Sequence, residues 1–129
     1  AAARIVDREA EAGDRVALGC LLGAADELAV LAHDAVTELQ LEDVAFPMIG
    51  VGSVASKSRL WWERFTTRVR EVAPRVEPIL PRVRPVVGGA LLALREMGVS
   101  WTPELIERIV ATQAPFLEAI EAREAQQTI

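Results

Sequence analysis

The residues of this chain best placed to do chemistry stand in one short stretch, Gly50-Val51-Gly52-Ser53-Val54-Ala55-Ser56-Lys57. An apolar run ends at Ile49, two glycines and a serine follow, and a segment rich in Arg, Trp and Phe begins at Arg59. A turn alone needs one glycine. Two small residues between a strand and a helix indicate that something approaches the backbone closely. The chemistry served by such a joint is ligand contact through main-chain atoms, with the amides of the helix start favouring phosphate oxygens. Gly52, Ser53, Val54 and Ala55 are the candidate contacts. Lys57 is long enough to reach a phosphate, although a lysine at that place reads first as a solvated side chain. The same turn without a ligand is a tight strand-to-helix connection.

Elsewhere the reactive side chains are isolated. Cys20 is the sole cysteine, which excludes an intrachain disulfide and supports no metal cluster; it reads as a small buried hydrophobe. His33 is the sole imidazole and no credible metal ligand. No metal site and no catalytic residue is expected within these 129 residues.

Composition bounds the rest. The chain suits one domain, and 51% hydrophobic residues suffice for a core. No apolar run approaches the roughly 20 residues needed to span a bilayer, and the acidic N-terminal stretch has no signal-like apolar segment. The expectation is a cytoplasmic protein without a membrane partner. The net charge of −5 hides an asymmetry. Residues 1–56 set three arginines against ten acids, whereas residues 57–84 set eight bases against three acids. Such a block suits nucleic acid or a phosphorylated ligand. It suits equally the solvated side of an amphipathic helix with acidic neighbours, and no nucleic-acid partner is expected.

The elements that must position the turn follow from periodicity. Residues 2–12 read as a short helix, Gly13 interrupts it, and Asp14 caps a long helix over 15–40. Residues 44–51 read as an interior strand buried on both faces, with Pro47 speaking against the sheet centre. A helix over 55–72 turns Trp61, Phe65, Val69 and Val72 inward. Trp62 lies about 100° from Trp61 around the helix, so one packs in the core and the other covers a flank or an interface. Residues 76–80 read as a second strand, at an edge because of Pro78. Pro85 opens a helix that stops at Gly98, Thr102 and Pro103 open another, and Pro115 breaks or kinks it before a last helical run. Alternation of this kind indicates a parallel α/β sheet. Two parallel strands make a poor domain and the chain starts at Ala1, so the expectation is part of a larger sheet.

Three phrases in series resemble the C-terminal portion of the BadF/BadG/BcrA/BcrD-type ATPases, a family that includes N-acetylglucosamine kinases and related amino-sugar kinases. They are Ala10, Gly13, Asp14 and Ala17 ahead of the long helix, Gly52, Ser53 and Val54 after the strand, and Pro85, Gly88, Gly89 and Ala90 at the later helix. The resemblance covers residues 9–98. It departs from the family at Ser53, where a second glycine is usual, and at the extra Gly89.

The resemblance implies a partial ribonuclease-H-like lobe of α/β class, helix-rich, with few parallel strands and several covering helices. Residues 1–98 would form a C-terminal ATP-side subdomain, and residues 99–129 a helical extension. It implies ATP with Mg as cofactor, with Gly52, Ser53, Val54 and Ala55 against the adenosine. The implied reaction is phosphoryl transfer to the hydroxyl of a small-molecule sugar, N-acetylglucosamine or glucosamine. The family's phosphate loops and catalytic aspartate belong to parts N-terminal to this segment. The expected partner is accordingly the remainder of the kinase fold or a second copy of the chain in a homodimer. Two other functions compete. One is an ATPase activator of a CoA-ester reductase or dehydratase, which needs cluster-binding cysteines that lone Cys20 does not provide. The other is a non-catalytic α/β interaction module, a remnant lobe whose sheet edge and tryptophan pair are covered by a partner.

Overall fold

The computed structural model describes residues 2–81 and 83–113 of the chain. Its elements are α1 (Ala2–Glu11), α2 (Arg15–Glu38), β1 (Phe46–Ile49), α3 (Ser53–Lys57), α4 (Arg59–Arg70), β2 (Val76–Ile79), α5 (Pro85–Glu96) and α6 (Pro103–Thr112). The chain is helix-rich around a small parallel sheet, an α/β arrangement in the broad sense. It divides into two compact units, residues 1–81 and 82–129. The run beyond Gln113, including the kink expected at Pro115, lies outside the described residues.

Local chemistry sets the boundaries. Gly13 adopts a φ of +95°. The Gly13 and Asp14 amides donate back to the Ala10 and Glu9 carbonyls, so α1 closes in a Schellman motif. Asp14 then opens α2 at once, its carboxylate accepting from the Val16 and Ala17 amides at 2.9 and 2.8 Å. The helix expected over 55–72 is instead two helices, because Ser58 leaves the helical conformation (φ −96°, ψ 100°) and caps α4. Its hydroxyl oxygen accepts from the Trp61 amide at 3.3 Å and donates its proton to Asp7 on α1. Ser58 is buried, and the cap satisfies both the helix start and the hydroxyl.

In the first unit α2 packs on α4, α1 on α2, and the sheet beside α4. Leu21, Ala25, Ala29 and Val36 of α2 meet Trp61, Phe65 and Val69 of α4 in one core that also takes in Ala10, Ala55, Ala73 and Val76. Ala25 and Ala29 are fully enclosed, and their small side chains let the two helices approach closely. Trp61 stacks on Phe65 with ring centroids 5.1 Å apart. The expected stripe therefore faces inward, with Val72 half-buried at its end. Thr66 joins it, buried although polar. Its hydroxyl donates to the Trp62 carbonyl at 2.9 Å, which removes the desolvation cost of a free O–H.

Strands β1 and β2 pair in parallel, Phe46 opposite Val76 and Ile49 opposite Ile79. With two strands among the described residues, β1 is an edge and not the interior strand expected. The Gly50 amide donates to the Ile79 carbonyl at 2.9 Å. By alternation along each strand, Pro47 and Pro78 then direct their nitrogens to the two outer edges, where a missing N–H breaks no ladder bond. Ile49 and Ile79 are exposed, and side-chain alternation puts both on the face away from α4, so within the first unit the described helices cover the opposite face of the sheet.

Within the 24 residues of α2 an 18-residue stretch has a mean hydropathy of 1.5, which meets the length and composition of a membrane-crossing helix. This differs from the expectation that no such run exists. Its Leu21–Val36 face nonetheless belongs to the core of the first unit.

The second unit pairs α5 with α6. Gly98, at a φ of +80°, ends α5, its amide donating to the Arg95 carbonyl and that of Val99 to Leu94. Thr102 caps α6 through the Leu105 amide. The Trp101 indole donates to the Leu91 carbonyl at 2.9 Å, and the Arg95 guanidinium lies 5.5 Å from its ring centroid.

Candidate functional site

The turn after β1 lies at the carboxyl end of the parallel pair, the end at which open α/β sheets bind ligands. Its two glycines have different physical causes. A Cβ on Gly50 would come within 2.5 Å of the Trp62 ring and 3.1 Å of the Leu80 side chain. What approaches the backbone at Gly50 is thus the protein's own tryptophan. Gly52 has φ 112° and ψ 164°, a conformation that is essentially glycine's alone. Nothing lies within 4 Å of a Cβ placed there. The space over Gly52 is open.

The four predicted contacts separate. Gly52, Ser53 and Val54 are exposed, whereas Ala55 is buried in the core with its side chain turned from the open side. Ser56 donates to the Gly52 carbonyl at 2.9 Å and stiffens the turn. Lys57 is exposed, as its sequence position indicates. Sequence reasoning gave α1 as a helix but missed its place beside the turn. Arg4 and Asp7 border a concavity of about 40 Å³ together with Ser53, Val54, Lys57 and Ser58. That is room for a few water-sized groups, not for a nucleotide. A second, open groove of about 460 Å³ continues past Val54 along Ala3, Leu21, Leu28 and Trp61. Its size falls in the range of small-molecule sites, and its walls are apolar. Arg4 and Asp7 precede Ser53 by more than forty positions, and no motif in the sequence links them to it.

Cys20 is exposed on α2 and lines that groove, a correction to the expected buried thiol. His33 bridges helices: its Nε2 donates to the Arg68 carbonyl at 2.7 Å, which fixes the proton on that nitrogen because a carbonyl only accepts. Among the described residues no three His, Cys, Asp or Glu side chains converge to hold a metal.

Much of the basic block is matched by acids and carbonyls. Arg59 bonds Glu63 at 2.8 Å, Arg75 donates to the Asp43 carbonyl at 2.8 Å, and Arg68 bonds Glu71. Arg64 grips Asp26 with two bonds of 2.7 and 2.8 Å, tying α4 to α2. Arg68 adds an ion-pair contact at 3.3 Å whose Nε lacks hydrogen-bond geometry. The Arg64 hydrogen bonds hold the Asp26 carboxyl below the usual aspartate range, against a smaller opposing effect of desolvation. A lowered folded-state pKa contributes stability that is present above the unfolded value and lost as pH falls through the folded one. Acid titration of the unfolding midpoint should therefore show a loss starting below about pH 3.9. Asp26→Asn should remove that part of the loss. Identical acid curves for the two proteins would mean that the pair contributes nothing to folding.

No family model, curated protein or solved structure matches the chain.

Proposed function

We propose that this chain supplies the adenosine-side wall of a nucleotide site in an amino-sugar kinase-like protein. The reading is carried by one observation. An open turn of small residues, with Gly52 in a glycine-only conformation and Ser53 and Val54 exposed, follows the first strand of a parallel strand–helix–strand unit. The base and ribose would lie against the main chain of Gly52 and Ser53 and the side chain of Val54. Ala55 would act from below as part of the core that holds the turn. Phosphoryl transfer to a sugar hydroxyl needs an aspartate base and metal-bound phosphates. Among the described residues no three His, Cys, Asp or Glu side chains converge on one point, and Asp7 is the one carboxylate bordering the concavity at Ser53. Metal and catalytic base belong, on this reading, to the remainder of a fold completed in the cytoplasm.

Calorimetric titration with ATP and Mg, on this chain and on the full gene product, tests the proposal. The full product should bind ATP and phosphorylate N-acetylglucosamine or glucosamine, and the 129-residue chain should bind weakly. A full product that neither binds ATP nor phosphorylates a sugar would remove the reading. One observation favours a second reading, the non-catalytic interaction module. Ile49 and Ile79, opposite each other in register, expose an apolar sheet face that parallel sheets ordinarily cover.

A further inference from the structure

Trp62 stands at the carboxyl ends of both strands. The outer edge of its indole, Cζ3 and Cη2, lies against Gly50, and the Leu80 side chain meets the same point from the end of β2. Phe65, one helical turn along α4, backs the ring at a centroid distance of 5.9 Å, and Trp61 stacks on Phe65 in turn. Gly50 is itself pinned to β2 through its amide bond to Ile79. A rigid aromatic column on α4 thus presses on the backbone two residues before the open Gly52.

We infer that Trp62 is the positioning residue of the turn: the volume of its ring, set against Gly50 beside the Leu80 side chain, fixes where Gly52, Ser53 and Val54 stand. The wedge explains a glycine that no backbone torsion demands, because Gly50, unlike Gly52, does not adopt a positive φ. An alanine at 50 would meet the half-buried ring at 2.5 Å, so the indole or the backbone must shift, and a ring held against Phe65 gives way less readily than the end of a flexible chain. The consequence for a ligand rests on the nucleotide reading. The wedge does not.

A size-exchange cycle on the full chain tests it without any ligand. The four proteins are wild type, Gly50→Ala, Trp62→Phe and the double variant. Trp62→Phe withdraws the outer ring edge while keeping an aromatic side chain beside Phe65. Gly50→Ala should lower the folding equilibrium constant about tenfold or more in the wild type and less than about threefold in the Trp62→Phe background. If Gly50→Ala alone does not fold, recovery of a folded double variant supports the wedge equally, and an unfolded double variant overturns it. Equal losses in both backgrounds overturn it too. The second readout is positional. Trp62→Phe should shift the backbone amide resonances of Gly52, Ser53 and Val54 while those of Ala29 to Val36 on α2 stay in place. Turn resonances that do not move would leave Trp62 as mere filling. ATP added to the wild type reports separately on the nucleotide reading, so the two ideas fail independently.

Discussion

Phe65→Ala should destabilise the chain by about 3–5 kcal/mol, the range for emptying a buried phenylalanine site. The ring is 7% exposed, stacks on Trp61 at an interplanar angle of 12°, and lies with its centroid 5.9 Å from that of Trp62. Its neighbours across the core are on α2, where enclosed Ala25 and Ala29 have no side-chain length with which to fill the space. Collapse is therefore poor, which puts the cost toward the upper end of the range. Domains of this size are stable by only about 5–15 kcal/mol, so the variant should sit near its unfolding threshold. Urea denaturation should show a lower midpoint at unchanged slope. Thr67→Ala, on the exposed side of the same helix, should change little. A cost near zero at Phe65 would mean that α4 turns a different face to the core.

The core was legible because α4 repeats its apolar residues at helical spacing, and Trp61, Phe65 and Val69 are accordingly inside. The caps at Asp14 and Thr102 and the stop at Gly98 were legible for the same reason: each is a local interaction whose partners lie within a few residues. The break at Ser58 was not, because serine competes poorly with a helix until a distant group fixes it. That group is Asp7, 51 positions earlier. The strand order failed differently. Residues 44–51 read as interior from their apolar run, yet an uninterrupted apolar run records only that both faces avoid charge, not which strands lie beside it. The prolines carried the better signal, since Pro47 and Pro78 both direct a nitrogen without a proton toward an edge.

At the turn, the need for small residues was legible in the sequence, but its cause at one glycine was not. Counting two glycines at the joint pointed to an external group pressing on the backbone, whereas Gly50 is pressed by Trp62 from the same chain. A sequence records that a residue must be small, not what requires it. Gly52 retained the stronger signal, since its torsions need glycine whatever lies nearby. Ala55 follows Ser53 and Val54 along the chain, but the period of the helix carries its side chain into the core, which leaves only its main chain for any contact.

Gly52→Val should abolish stabilisation by nucleotide while leaving a folded, weaker protein. The substitution acts in two ways. A β-branched residue forced to φ 112° and ψ 164° carries strain of about 1–3 kcal/mol, and this appears in the protein without ligand. The second effect appears with ligand alone. Nothing outside its chain neighbours lies within 4 Å of a Cβ on Gly52, so a valine there projects into open space and occupies the place proposed for adenosine. Thermal stability with and without ATP separates the two. In the full gene product the wild type should gain about 2.7 kcal/mol at a ligand concentration of 100 times its dissociation constant. The variant should start lower and gain little at that same concentration. Ser53→Ala, which keeps the turn and removes one hydroxyl, should retain most of the gain unless that hydroxyl bonds the ligand. On the proposal that the turn is one wall of a larger cleft, the isolated 129 residues should respond weakly in every form. Tight binding of ATP by this chain alone, unaltered by Gly52→Val, would place the nucleotide elsewhere on the molecule and leave the turn as a connection between β1 and α3.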